Sequence, residues 1–110
     1  MKELKFVLLL DCYGDILTEN QRDAMELYYC EDLSLAEISE PRGITRQAVR
    51  GIIKQSEQKL TELEGKLGFA GKTARMNECL AKMRGIAAKT DNRDVADELN
   101  SCIDEIKEIL

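Results

Sequence analysis

Apolar residues recur along this chain at steps of three and four, the period of an amphipathic helix. Residues 3–13 read as a first helix, apolar on most of its surface with Leu4, Val7 and Leu8 among its positions, and Tyr13-Gly14-Asp15 breaks it. A second helix is predicted from Thr18 to about Cys30. Its apolar face is Ala24, Leu27 and Tyr28, with Met25 and Tyr29 beside it. From Thr45 a long stripe follows, Val49, Ile53, Ser56, Leu60, Leu63 and Leu67, so one side of that helix faces a partner throughout. Gly65, Gly68 and Gly71 mark its end and a hinge. Two further helices are expected, about 73–89 and 92–110, joined by the polar turn Thr90-Asp91-Asn92. Their stripes are Met76, Leu80, Met83 and Ala87, then Val95, Leu99, Cys102, Ile103, Ile106 and Leu110.

The polar positions between the stripes place the helix starts. Thr18-Glu19-Asn20-Gln21 has the form of a capping box, and Ser34-Leu35-Ala36-Glu37 is a second, with Leu33 and Ile38 spaced as a hydrophobic staple. The helix opened by Ser34 is short, because Pro41 and Gly43 follow closely. Thr45 caps the next, with Ile44 and Val49 placed as its staple. A short helix, a tight turn containing Gly43 and a helix from Thr45 make a helix-turn-helix, within a three-helix unit spanning residues 18–66. The steep crossing of such helices needs a small residue, and Ser39 is expected there, with Ile38, Ile44, Val49 and Ile52 closing the angle.

Composition agrees with packed helices. Over a third of the residues are charged, aromatics are few, and there is one proline, no tryptophan and no histidine. The fold class read from these patterns is all-α: a helical bundle containing the helix-turn-helix, with a long third helix in that unit and a C-terminal helical tail. Residues 1–68 are expected to form the helix-turn-helix domain and 69–110 the tail, a dimerisation or packing element. Cys12, Cys30, Cys79 and Cys102 form no C-x-x-C pair and lack a histidine to complete a zinc site, so they are expected as buried or half-buried free thiols. Reduced thiols fit a cytoplasmic location. The densest apolar run, Phe6-Val7-Leu8-Leu9-Leu10, is far shorter than the roughly 20 residues of a membrane span and lacks a cleavage site, so neither membrane insertion nor secretion is expected.

Net charge is −5, but its distribution is uneven. Residues 1–41 carry net −7, residues 42–66 carry +3 and residues 67–110 carry −1. Within 42–54 there are four basic residues and no acidic one. Arg46, Arg50 and Lys54 stand at successive i+4 steps with Gln47 beside Arg46, which spreads the cations over roughly 12 Å, close to the width of a major groove. Arginine can reach guanine bidentately, glutamine can read adenine, and Lys54 suits a phosphate. Thr45 with its adjacent amides offers a helix N-terminus to another phosphate. The candidate nucleic-acid contacts are therefore Arg42, Thr45, Arg46, Gln47, Arg50 and Lys54. The bland alternative is a solvated helix face.

Four segments together resemble the YlxM-like family of small helix-turn-helix proteins of low-GC Gram-positive bacteria. They are Leu10-Asp11-Cys12-Tyr13-Gly14-Asp15-Ile16-Leu17-Thr18-Glu19-Asn20-Gln21, Glu26-Leu27-Tyr28-Tyr29, Asp32-Leu33-Ser34-Leu35-Ala36-Glu37-Ile38 and Ile44-Thr45-Arg46-Gln47-Ala48-Val49. The resemblance covers about residues 4–68. The same stretch is more distantly similar to region four of bacterial sigma factors, by which Arg46, Gln47 and Arg50 are implied to face bases or phosphates. The family's gene neighbourhood implies a regulatory or accessory role in signal recognition particle protein targeting. Glu40-Pro41-Arg42-Gly43-Ile44 departs from the family's usual Glu-Glu-Phe-Asn-Ile. Arg42 there replaces an apolar plug, and either its aliphatic stem covers the gap or the turn loosens.

Two functions compete on these residues. One is a nucleic-acid-binding regulator, DNA or RNA, acting as a homodimer through its tail helices. The other is a protein-interaction module that holds the signal recognition particle GTPase or its RNA without sequence-specific DNA binding. Its acidic first segment, including Asp11, Asp15, Glu19, Asp23, Glu31 and Asp32, would suit a basic partner. An enzyme is not expected, since no phosphate-cradling glycine loop or nucleophile–base pair is present, and no cofactor or metal is called for.

Overall fold

The computed structural model describes residues 2–110, which form helices and turns with no strand among them. The elements are α1 (Leu4–Tyr13), a 3₁₀ turn (Gly14–Ile16), α2 (Glu19–Met25) continued by a π-type segment (Glu26–Cys30), α3 (Leu35–Arg42), α4 (Arg46–Leu67), α5 (Phe69–Ala87) and α6 (Arg93–Ile109). The chain divides into two compact units, one ending at Ala70 and the other running Gly71–Leu110.

In the first unit the sequence caps are formed. Thr18 and Ser34 each accept from the backbone N–H three residues on, while Gln21 and Glu37 reach back to the cap N–H in return. Both boxes thus satisfy donors that a helix start leaves orphaned. The predicted second helix does not stay α-helical to Cys30. After Met25 the ladder widens, and the Glu31 N–H donates to the Glu26 carbonyl five residues back at 3.1 Å. The chain must turn sharply here, and Asp32 adopts a left-handed φ of 55°, a conformation that Asp tolerates better than most residues. Lys2 ties the corner down from the other end of the unit. Its ammonium donates to the carbonyls of Tyr28 (2.7 Å) and Leu33 (2.6 Å) and lies 3.8 Å from the centre of the Tyr28 ring.

The turn between α3 and α4 is tight, not loose. Gly43 has φ of 66°, its N–H donates to the Glu40 carbonyl at 3.3 Å, and the Ile44 N–H donates to the Ser39 carbonyl at 3.4 Å. These two bonds make a Schellman motif, which closes the end of α3 with a glycine in the left-handed region. Pro41 sits inside the last turn, where its missing N–H costs only one bond at a helix that is ending anyway. Arg42 is half-buried, and its guanidinium donates to Asn20 Oδ1 at 2.9 Å, so the position of the apolar plug is held by a polar tie to α2.

α4 is the spine of the unit. Along its 22 residues, about 33 Å, Val49, Ile53, Ser56 and Leu60 are buried in the order the stripe predicts; Leu63 is half-buried and Leu67 exposed. Val49, Ile53 and Leu60 pack with Phe6, Leu9, Leu10, Tyr13, Leu17, Ala24, Met25 and Ile38 in one continuous core, and Leu63 packs against it. Within α1 the buried side is Phe6, Leu9, Leu10 and Tyr13, which leaves Leu4 and Leu8 exposed. Ser39 and Ser56 are buried too, and each hydroxyl donates to a carbonyl of its own helix, so neither brings an unpaired polar group into the core. The three glycines take different places in the helices. Gly65 lies within α4, Gly68 alone takes a left-handed φ (65°) and ends it, and Gly71 lies within α5. Tyr13 latches this corner: its hydroxyl donates to Glu64 Oε1 at 2.6 Å and accepts from the Phe69 N–H at 3.0 Å.

The second unit contains most of α5, and α6, with Asn92 capping the latter by accepting from the Val95 N–H. Leu80, Ala87 and Ile103 are buried, and Arg84 pairs with Asp104 at 2.6 Å and with Asn100 at 3.2 Å. Two helices have little interior to offer. Met76, Met83, Ile86, Val95, Ile106 and Ile109 remain exposed. The cysteines correct the sequence expectation: Cys12, Cys30, Cys79 and Cys102 are all free but exposed. Cys79 and Cys102 belong to this thin hairpin, and Cys12 and Cys30 face away from the first unit's core.

Candidate nucleic-acid interface

The interface is built by the turn and the first three turns of α4. The Schellman closure at Gly43 fixes the direction in which α4 leaves α3, and Thr45 starts the new helix by accepting from the Ala48 N–H at 3.0 Å. Val49 and Ile53, buried on one side, set the helix's rotation about its axis. Arg46, Gln47, Arg50 and Lys54 then lie outside that buried stripe, Arg46 and Arg50 along its flank, and all four are exposed. Among the described residues no carboxylate oxygen lies within salt-bridge distance of Arg46, Arg50 or Lys54. The first turn of α4 carries no acidic residue, so the positive end of its dipole is not neutralised from within.

The six sequence candidates are not equivalent. Arg46, Gln47, Arg50 and Lys54 share the solvent face of one helix, and Thr45 stands at its start with its hydroxyl already engaged as the cap. Arg42 stands apart, half-buried and tied to Asn20, and a phosphate would have to compete with that bond. Sequence reasoning did not find the neighbours of this face. Tyr29 of the π-type segment donates its hydroxyl to Glu57 Oε2 of α4 at 2.6 Å, and Tyr28 lies beside it with the rings edge-on at 5.0 Å. Burial foremost, and then the Glu57 carboxylate, push the Tyr29 hydroxyl far above the ordinary phenol range, so it stays a donor at any physiological pH. The adjacent tyrosines were visible in the sequence, but their reach to a residue 28 positions away was not. Among the described residues no group of acidic residues and cysteines is arranged to hold a metal ion, and no helix is long and apolar enough to cross a membrane.

Known proteins match this chain along its length. A family model described as "Putative helix-turn-helix protein, YlxM / p13 like" matches residues 1–102. A UPF0122 protein of Desulforamulus reducens is 40% identical over 111 residues, covering 100% of this chain and 95% of the relative. UPF0122 proteins of Symbiobacterium thermophilum and Halalkalibacterium halodurans are 40% and 36% identical, covering 83% and 96% of this chain and 86% and 94% of their own lengths. The capped turn, the helix it launches and these matches lead to one conclusion: the chain belongs to the YlxM / p13-like family of helix-turn-helix proteins.

Proposed function

We propose that this protein is a regulator that binds nucleic acid through the outer face of α4, with Arg46, Gln47 and Arg50 toward bases or phosphates and Lys54 on a phosphate. One observation carries the reading: a row of cations on an otherwise acidic protein, exposed beside the buried stripe that fixes the helix and left without carboxylate partners among the described residues. A cationic ridge beside a helix-turn-helix, on a chain whose other segments are net acidic, suits the polyanionic backbone of a nucleic acid. The test is equilibrium binding of the full chain to duplex DNA and to signal recognition particle RNA across a salt series. Affinity is expected to fall with salt at a slope of about −2 to −4, one unit for each phosphate engaged. Binding that ignores salt, or no binding to either polymer, overturns the reading. The RNA arm, together with the cognate GTPase, also tests the accessory role in protein targeting and the alternative of a protein-interaction module in the cytoplasm.

The partner of the C-terminal hairpin is read as a second copy of the chain. The apolar residues that α5 and α6 leave exposed are more than a solvated hairpin needs. Their charges are also complementary: α5 carries four basic residues and one acidic, α6 two basic and six acidic. A two-fold pairing could set each α6 against the partner's α5. Sedimentation is expected to give twice the 12.4 kDa chain mass, and Ile86→Glu, at a position 63% exposed, to return the monomer. A monomer in wild type at tens of micromolar overturns this assignment.

A further inference from the structure

Behind Arg50 and Lys54, α4 borders a cleft of about 290 Å³ that also touches the π-type segment and the start of α3. Tyr28, Tyr29, Leu35 and Ile53 line it together with Arg50, Lys54 and Glu57, so apolar and charged groups share the cleft. The widened ladder at Glu26–Cys30 allows two consecutive tyrosines to border the same space. Resting on the reading that α4 binds nucleic acid, we propose that this cleft receives one unpaired nucleobase, with Arg50 and Lys54 holding the phosphates beside it.

The chemistry selects a base over other small occupants. The volume is at the lower end for ligand sites, about 300 Å³, and admits one planar ring system but no helix. Aromatic and aliphatic walls favour a flat apolar surface, and stacking of a base on such a wall contributes about 1–3 kcal/mol. A free phosphate would meet the two cations but also the Glu57 carboxylate, which repels it. A base has use for that carboxylate. Glu57 Oε2 accepts from Tyr29, which fixes the side chain, and among the described residues Oε1 has no donor. It can accept from the exocyclic amine of cytosine, adenine or guanine, as acidic side chains do from cytosine N4. A base within a duplex is stacked on both faces and cannot enter, so the ligand must be a bulged, looped or single-stranded nucleotide.

The experiment compares the full chain's affinity for a fully paired hairpin and for the same hairpin carrying one bulged cytosine, each made as DNA and as RNA. The bulged form is expected to bind roughly 5- to 100-fold tighter in at least one of the two polymers, and the polymer showing the preference identifies the natural one. Tyr28→Ala should abolish the preference and Glu57→Gln should reduce it, each leaving affinity for the paired hairpin within about twofold. Tyr28 is only half-buried and glutamine can still accept from Tyr29, so both variants are expected to fold, which circular dichroism checks. Equal binding of the paired and bulged hairpins overturns the cleft and leaves the α4 reading standing. So does a preference that survives both substitutions, since it would reflect the bulge's flexibility alone. No binding to any hairpin overturns both.

Discussion

Replacing Arg46 and Arg50 together with alanine is expected to weaken nucleic-acid binding at least about fivefold and to reduce the salt slope by one unit for each of the two that sits on a phosphate. The magnitude follows from counting. Each arginine that reads a base edge contributes about 1–3 kcal/mol, and each that neutralises a phosphate contributes about one unit of slope. The fold should not register the change. Both side chains are exposed and have no carboxylate partner among the described residues, so stability is expected to move by less than about 0.5 kcal/mol. Binding and stability thus separate, which makes the double variant a clean probe. If affinity falls by less than threefold while the helix content is unchanged, the outer face of α4 is a solvated surface and the binding site lies elsewhere. Gln47→Ala offers a finer reading: discrimination between sequences should relax while the salt slope stays put, since an amide carries no charge to a phosphate.

How much of this was legible depended on whether the controlling interaction was local. Thr18, Ser34 and Thr45 announced their helices because a cap and its partner lie three residues apart, and all three caps are formed. The stripe on α4 was equally plain, because one rigid helix converts spacing directly into a face, and Val49, Ile53, Ser56 and Leu60 are buried as that spacing requires. The same logic put Arg46, Arg50 and Lys54 in solvent. Departures begin where distant residues decide. The π-type segment depends on how Glu31 and Asp32 leave the helix and on Lys2, 26 residues away, accepting the role of donor to the Tyr28 carbonyl. Gly71 looked as if it stood between helices with Gly65 and Gly68, yet α5 starts at once after Gly68 and includes it. The cysteines looked like small apolar residues, but their burial depends on what covers each helix, which no periodicity states. The pair of Tyr29 and Glu57 was hidden for the same reason, and with it the cleft.

Leu60→Ala is expected to cost about 2–5 kcal/mol, the largest stability change of any single truncation on α4. Leu60 is fully buried two turns beyond Ile53, where α4 passes the elements that carry Phe6, Tyr13 and Met25. Removing its isobutyl group leaves a void that rigid neighbours cannot fill, so the loss exceeds simple transfer of the carbons to water. Against a total stability of about 5–15 kcal/mol for a domain of this size, that is about a third at the middle of both ranges. Thermal unfolding followed by circular dichroism should shift down by roughly 10–20 °C. Leu67→Ala is the matched control, since it belongs to the same stripe but is 39% exposed, and it should cost under about 1 kcal/mol. The contrast bears on function as well as on stability. If the buried stripe is what turns Arg46 and Arg50 outward, then well below its unfolding temperature Leu60→Ala should bind nucleic acid as wild type does, because Val49 and Ile53 still set the rotation of the first turns. A variant that keeps its helix content but loses binding would mean instead that the far half of α4 holds the reading face in place, and that the unit works as one lever rather than as a scaffold with a separable surface.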